Sequence, residues 1–482
     1  MFHFYTVSGW VLVAIFLLTA IPTIVVILLE NRNPVKSLAW ILVLLFLPIL
    51  GFMLYLYFGQ DYRRQKIVSK KSIRRLGEIP KIKAEEADLD HPSLPKHHQL
   101  LIRLLQKNSD AFPFKGNQME VFGNEKETFK MLFSAIAESK HEINVEFYII
   151  EYDVVGKQFL NLLMQKALEG VKVRLIFDYV GSFRFKPSLQ RTLRKAGIEI
   201  YPFLPVHFKI TLRRNRVNYR NHRKIIIIDG QVGFTGGVNM AARYMVGNHL
   251  GRWRDTLLKI DGPAVFGMLN AFLIDWYFVS RQLLTIEMLY TNVRVHPSSG
   301  QNIVQIVTSG PDSDWESIMQ GVVVAITTAT RYVYVQTPYF MPTEVVMSAL
   351  QTAALSGVDV RVMLPERTDT WMTQSSSYSY ITQSLEAGVK IYLYKNAFLH
   401  SKAIVIDDQL SSVGSANMDF RSYEQNFELN AFVFDVNTAL TLRQLFEEDQ
   451  LQCEEITLEQ WQNRPISTRI KESFARLFSP LL

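Results

Sequence analysis

Two long uncharged stretches open the chain. From Gly9 to Leu29, and again from Ser37 to Gln60, no charged side chain interrupts runs rich in Val, Ile, Leu and Phe. Each run reaches the roughly 20 residues that an α-helix needs to cross about 30 Å of hydrocarbon. Between them, Glu30-Asn31-Arg32-Asn33-Pro34-Val35-Lys36 is a polar turn with a helix-stopping proline. The pattern predicts a transmembrane helical hairpin over residues 1–60, with Pro22 and Pro48 tolerated inside the helices. No cationic segment precedes the first run and a second run follows at once, which disfavours a cleaved signal peptide. Arg63, Arg64, Lys66, Lys70, Lys71, Arg74 and Arg75 follow the second run, against Arg32 and Lys36 in the turn. This asymmetry predicts a multi-pass cell-membrane protein whose body is cytoplasmic. The same cluster suits anionic headgroups.

Residues 61–110 read as a basic juxtamembrane segment and a polar linker with Pro92 and Pro95. Beyond it the pattern repeats. Val145-Glu146-Phe147-Tyr148 matches Val335-Gln336-Thr337-Pro338-Tyr339. Gly170-Val171-Lys172-Val173-Arg174-Leu175 matches Gly357-Val358-Asp359-Val360-Arg361-Val362, and Ala196-Gly197-Ile198-Glu199-Ile200-Tyr201 matches Ala387-Gly388-Val389-Lys390-Ile391-Tyr392. Phe159–Leu168 and Val345–Leu355 carry apolar residues at helical spacing, whereas Val171–Phe177 and Val358–Leu364 read as short buried strands. Alternating strand and helix predicts an α/β body with a largely parallel sheet covered by helices. The halves are expected over 111–295 and 296–482, joined at His296-Pro297-Ser298-Ser299-Gly300, the second ending in a C-terminal helix. That helix has Ile470, Phe474, Leu477 and Phe478 at helical spacing, and packing on the body is its expected role ahead of membrane contact.

Both copies contain H-x-K-x4-D-x6-G-[GS]-x-N at identical internal spacing. The first reads His222-Arg223-Lys224, four isoleucines, Asp229-Gly230 and Gly236-Gly237-Val238-Asn239. The second reads His400-Ser401-Lys402, Asp407 and Gly414-Ser415-Ala416-Asn417. The residues after each lysine are apolar and mostly β-branched, so the lysine opens a buried strand. Side chains two apart on a strand share a side, so each His and Lys face one way together. Asp229 and Asp407 fall at strand-ending turns and are expected to hold them. The Gly-rich step before Asn239 and Asn417 allows close backbone approach to an anion, with the amides aimed inward. Asp255, downstream of His222, and Glu428, downstream of His400, are candidates to hold a histidine's second nitrogen and fix its tautomer.

Composition adds two constraints. With one cysteine, Cys453, there is neither an internal disulfide nor a multi-cysteine metal site. A net charge of +7 suits an anionic partner, either nucleic acid or an acidic membrane surface. Lys209, Arg213, Arg214, Arg216, Arg220 and Arg223 cluster before the first motif as a candidate headgroup-attracting segment or a solvated loop.

The doubled motif resembles that of the phospholipase D superfamily, with Gly237 standing where the family usually has Ser. The paired N-terminal runs, the Asn33-Pro34 turn, Trp253-Arg254-Asp255-Thr256 and the Arg476-Leu477-Phe478-Ser479-Pro480 tail resemble bacterial cardiolipin synthases. The resemblance implies two tandem α/β/α units in a pseudo-twofold body, with both His-Lys pairs at one phosphate. It implies His222, Lys224, Asp229, His400, Lys402 and Asp407 as the catalytic set. Asn239, Asn417, Asp255, Glu428, Gly236 and Ser415 would bind or orient substrate. No metal or cofactor is expected, since lysines can neutralise the phosphate. The implied reaction joins two phosphatidylglycerols through a phosphohistidine, with anionic membrane lipids and the bilayer as partners and no nucleic acid. Another phospholipase D-type phosphatidyltransferase, a phospholipid hydrolase and, less favoured, a membrane-bound nuclease remain the alternatives.

Overall fold

The computed structural model describes residues 2–29, 34–55, 59, 94–206, 218–284 and 302–482. The basic cluster at 63–75, most of the polar linker, the 296–300 junction, and Lys209, Arg213, Arg214 and Arg216 lie outside them. The chain divides into two units, one holding Met1–Gln65 with Val206–Asn218, the other Lys66–Pro205 with Tyr219–Leu482.

In the first unit, Phe2–Leu29 is one helix that runs through Pro22. The second apolar run is two helices, Pro34–Phe46 and Pro48–Leu54. Pro48 has no N–H and disfavours helical backbone at Leu47, which sits at φ −133°, so the expected single helix breaks there. A small core of Ala20, Ile27, Leu44 and Tyr55 joins the helices, with Trp40 edge-on to Tyr55 at 5.5 Å. Among the described residues no helix is long and apolar enough to cross a membrane.

The second unit contains two sheets built on one plan. The seven-stranded sheet runs Gln118–Phe122, Leu257–Asp261, Val232–Gly236, Ile225–Ile228, Glu142–Phe147, Lys172–Asp178, Glu199–Phe203. In the nine-stranded sheet, Ile303–Ser309, Glu428–Phe434, Leu410–Gly414, Ala403–Ile406, Tyr332–Gln336, Asp359–Pro365 and Lys390–Tyr394 follow the same order, with one further strand at each edge. The expectation of a largely parallel sheet is corrected. Only the last three strands of each series run parallel. The strand after each lysine enters instead a tight antiparallel hairpin.

The hairpin turns explain the two aspartates. Asp229 and Gly230 have φ of 49° and 62°, and Asp407 and Asp408 have 54° and 58°. These are mirror-image turns whose twist matches that of paired strands. Asp229 accepts from the N–H groups of Lys140, His141 and Glu142 at 2.7–2.9 Å. Asp407 accepts from those of Thr330, Arg331 and Tyr332 at 2.7–2.9 Å. Each turn is thereby tied to the start of the neighbouring strand.

The isoleucines show how the layers form. Ile226 and Ile228 pack outward with Phe129, Phe159 and Leu163 from the covering helices. Ile225 and Ile227 face inward, where they join Val405, Val413 and Leu429 of the other half in one core. A strand buried on both faces needs no polar alternation, which is why four isoleucines occur in succession.

Candidate active site

The backbone positions each histidine against the opposite half. His222 donates its N–H to Phe427 O at 2.9 Å, and His400 donates to Arg254 O at 2.7 Å. Arg252–Arg254 pairs in parallel with Ala397–Leu399, and Asn221 bridges to Phe427. In both cases the residue after the accepting carbonyl is an acid. Glu428 Oε1 therefore sits 2.9 Å from His222 Nδ1, and Asp255 Oδ2 sits 2.6 Å from His400 Nδ1. Chain position put each acid with the histidine of its own half; the fold exchanges them.

Both imidazoles line one pocket of about 440 Å³, together with Asn239, Asn417, Tyr148 and Tyr244. The Tyr148 ring lies 4.9 Å from His222, and Tyr244 and Trp253 lie 5.3 and 5.2 Å from His400. Behind them, Lys224 Nζ donates to His222 O at 2.6 Å, and Lys402 Nζ lies 2.9 and 3.1 Å from the His400 ring nitrogens. The strand geometry thus brings each His and its Lys together, as two-residue spacing dictates.

Burial dominates the electrostatics, because a buried charge loses its hydration. It lowers His222 to about 4, so the imidazole is neutral near pH 7. It lowers His400 well below its usual value, reinforced by Lys402 and Lys224. Burial also lowers Lys224 to about 7 and Lys402 to about 8. The two acids diverge. Asp255 is pushed up to about 6 by burial despite Lys402 and the Thr256 N–H. For Glu428 burial acts in the same direction, but His222, Lys224 and the Ser415 hydroxyl outweigh it and hold the carboxylate below its usual range.

That divergence has a steric source. Ser415 Oγ donates to Glu428 Oε2 at 2.5 Å. Its counterpart is Gly237, where an added Cβ would stand 2.1 Å from Asp255 Oδ1. Gly236 has φ 156° and packs so closely that a Cβ would meet Thr256 O at 2.2 Å. The Gly-rich steps therefore approach the acid-bearing strands, and Gly236 and Ser415 do not line the pocket as anion contacts. Asn239 accepts from Ile149 N at 3.1 Å and donates to Tyr244 Oη at 2.6 Å. Asn417 donates to Asp419 at 3.0 Å, and its buried Oδ1 has no partner among the described residues. Asp229 and Asp407, grouped with the catalytic set by the motif, sit at the far ends of their strands, away from the pocket that the two histidines line.

Several pocket residues were not among the candidates that the motif supplied. Arg243, Tyr244, Tyr339, Asp369 and Asp419 all line it. Arg220 and Arg223, read as members of a surface cluster, are buried and ion-paired with Asp178 and Asp275. Asp419 had a local cue, its position two residues after Asn417, and Tyr148 and Tyr339 end the matched repeat segments.

Two copies of one α/β plan that bring two histidines, each backed by its own lysine, to a single pocket define the phospholipase D-like class. The family described as cardiolipin synthase, PLD-like domain, matches residues 132–271 and 322–450, and phospholipase D-nuclease N-terminal matches residues 17–60. The cardiolipin synthase of Geobacillus kaustophilus is 42% identical over 95% of this chain and 91% of its own. The major cardiolipin synthase of Bacillus subtilis is 38% identical over 99% of this chain and 100% of its own. The chain belongs to the cardiolipin synthase family. Among solved structures, the phosphatidylserine synthase of Haemophilus influenzae superposes with a TM-score of 0.60 at 14% identity, covering 79% of this chain and all of that one; this likeness concerns the fold.

Proposed function

We propose that this chain is a membrane-anchored cardiolipin synthase that transfers a phosphatidyl group from one phosphatidylglycerol to the hydroxyl of another. The convergence of His222 and His400, each held by the other half's acid, in one pocket carries the reading. Neutral His222, with Nδ1–H donated to ionised Glu428, presents Nε2 to phosphorus. The new P–N bond forms as the bond from phosphorus to the departing glycerol oxygen breaks, and His400 supplies that oxygen's proton. In the second half-reaction His400 takes a proton from the incoming hydroxyl, whose oxygen attacks phosphorus and releases His222. The phosphodiester brings the negative charge that raises His400 toward protonation and secures Lys224 and Lys402 as cations. These lysines stabilise the charge developing on the phosphoryl oxygens. The unpartnered Oδ1 of Asn417 suits a hydroxyl donor, as the incoming alcohol provides.

The first unit fits an anchor. Its small core leaves Leu17, Leu18, Leu28, Leu29 and Phe46 largely exposed, surface that is stable in hydrocarbon and costly in water. In the proposed topology these helices hold the body at the cytoplasmic face. Confinement to the bilayer raises the local concentration of the lipid alcohol over that of competing hydroxyl donors. Supplied with phosphatidylglycerol alone, the purified chain is expected to yield cardiolipin and glycerol in equal amounts, measured by mass spectrometry. Phosphatidic acid as sole product, or plasmid cleavage without lipid turnover, would overturn the assignment.

The site also sets a pH window. Asp255 must be ionised to orient His400, which favours pH above about 6. Lys224 must be cationic to receive the anion, which favours pH below about 7 in the empty site. The kcat/KM for a water-soluble short-chain phosphatidylglycerol is therefore expected to rise through pH 6 and fall between pH 7 and 8. The alkaline limb of kcat should lie higher, because bound phosphate stabilises the ammonium. A kcat/KM profile flat from pH 5 to 9 would contradict these assignments.

A further inference from the structure

The C-terminal helix, Ile466–Arg476, is oriented opposite to the expected packing. Ile466, Ile470, Phe474 and Leu477 are 73, 64, 52 and 74% exposed and form one stripe along it. The residues it buries are Glu472 and Ala475. Polar groups hold it in place. Arg464 clamps Glu472 with two hydrogen bonds, Arg476 donates to Ser379 O at 3.2 Å, and Ser479 Oγ meets Ser376 Oγ at 2.7 Å. An amphipathic helix docked through its polar side presents a hydrophobic ridge outward by construction.

We propose that this ridge is an interfacial membrane contact that seats the pocket mouth on an anionic phospholipid surface. Exposed Arg469 and Lys471 flank the ridge, and Lys471 Nζ lies 5.1 Å over the half-exposed Trp371. Apolar side chains bordered by cations and an indole suit the headgroup boundary of an acidic bilayer. The helix leads directly to Leu482, which lines the pocket containing both histidines. In the other half Phe183, 74% exposed with the Arg184 guanidinium 5.4 Å from its ring, follows strand Lys172–Asp178 much as Trp371 follows the repeated strand Asp359–Pro365. A lipid whose chains stay in the bilayer can then lift only its headgroup into the pocket. The inference rests on the lipid-substrate reading and adds the surface that delivers the substrate.

The test uses the full chain with Ile470→Glu and Phe474→Glu combined. Turnover of phosphatidylglycerol in bilayer vesicles is expected to fall about tenfold or more, with turnover of the same lipid in nonionic detergent micelles within about twofold of the parent. In parallel, a polarity-sensitive fluorophore on Ile470→Cys, in a Cys453→Ser background, is expected to shift to the blue in phosphatidylglycerol vesicles and less so in phosphatidylcholine vesicles. Unchanged vesicle turnover, or a probe that stays in water, would overturn the proposal. So would a blue shift that appears without lipid and grows with protein concentration, since the ridge would then bind a second copy. A parent that makes no cardiolipin in either system while the probe still shifts would instead refute the lipid-transfer reading and leave the membrane contact standing.

Discussion

His222→Ala is expected to lose cardiolipin synthesis by about 10⁴-fold or more and to form no phosphoenzyme at all, because residues that act as a unit fail together when the nucleophile is removed. His400→Ala should be about as inactive on phosphatidylglycerol but distinguishable from it. With a phosphatidyl ester of p-nitrophenol, whose leaving group departs without a proton, this variant should still release a first equivalent of nitrophenol. It should then stall as an acid-labile phosphohistidine, with label retained on the protein. The asymmetry follows from the site. Glu428 receives the Ser415 hydroxyl and stays ionised below its usual range. Asp255 faces Gly237 without such a donor and is pushed up to about 6. An anionic partner suits a neutral imidazole that attacks, and a proton-sharing partner suits one that cycles between acid and base. Label trapped on His400 rather than His222 would reverse the roles.

The second large effect concerns the acids. Glu428→Gln should reproduce the loss of phosphoenzyme formation seen with His222→Ala, by about 10²–10⁴-fold, because an amide supports the wrong imidazole tautomer. Asp255→Asn should behave like the His400 variant, with the nitrophenol burst retained and its resolution slowed. The acid limb near pH 6 should disappear with it. The diagnostic is the crossing: an acid of the second half shares its phenotype with the histidine of the first. If Glu428→Gln paired with His400→Ala instead, the exchanged arrangement would not describe the working enzyme.

Much of this was legible in the sequence for local reasons. Four β-branched residues in succession at Ile225–Ile228 favour a doubly buried strand, and His-x-Lys entering such a strand projects both groups to one side. Repeat spacing located the helices that became Val154–Leu168 and Glu344–Leu355. The antiparallel hairpins were signalled by Asp229-Gly230, a turn pair for strand reversal, but the alternation of strand and helix elsewhere suggested a parallel sheet. The exchange of Asp255 and Glu428 had no local signal. It depends on how one sheet faces the other, and both acids lie at plausible distances from either histidine along the chain. Arg243 and Tyr244 reach the pocket for the same reason. The ridge of the last helix was visible as periodicity, yet periodicity defines a stripe without saying which side meets the protein; Glu472, satisfied by Arg464, turned it outward.

The exchanged acids also bear on how such a protein can vary. Either half by itself would present a histidine with no carboxylate behind it and a carboxylate with no histidine to hold. A shift of one half against the other would strip both imidazoles of their partners in the same motion, so competence is a property of the seam. Expressed as two polypeptides broken between the halves, the molecule should be silent in each piece and recover only on reassociation.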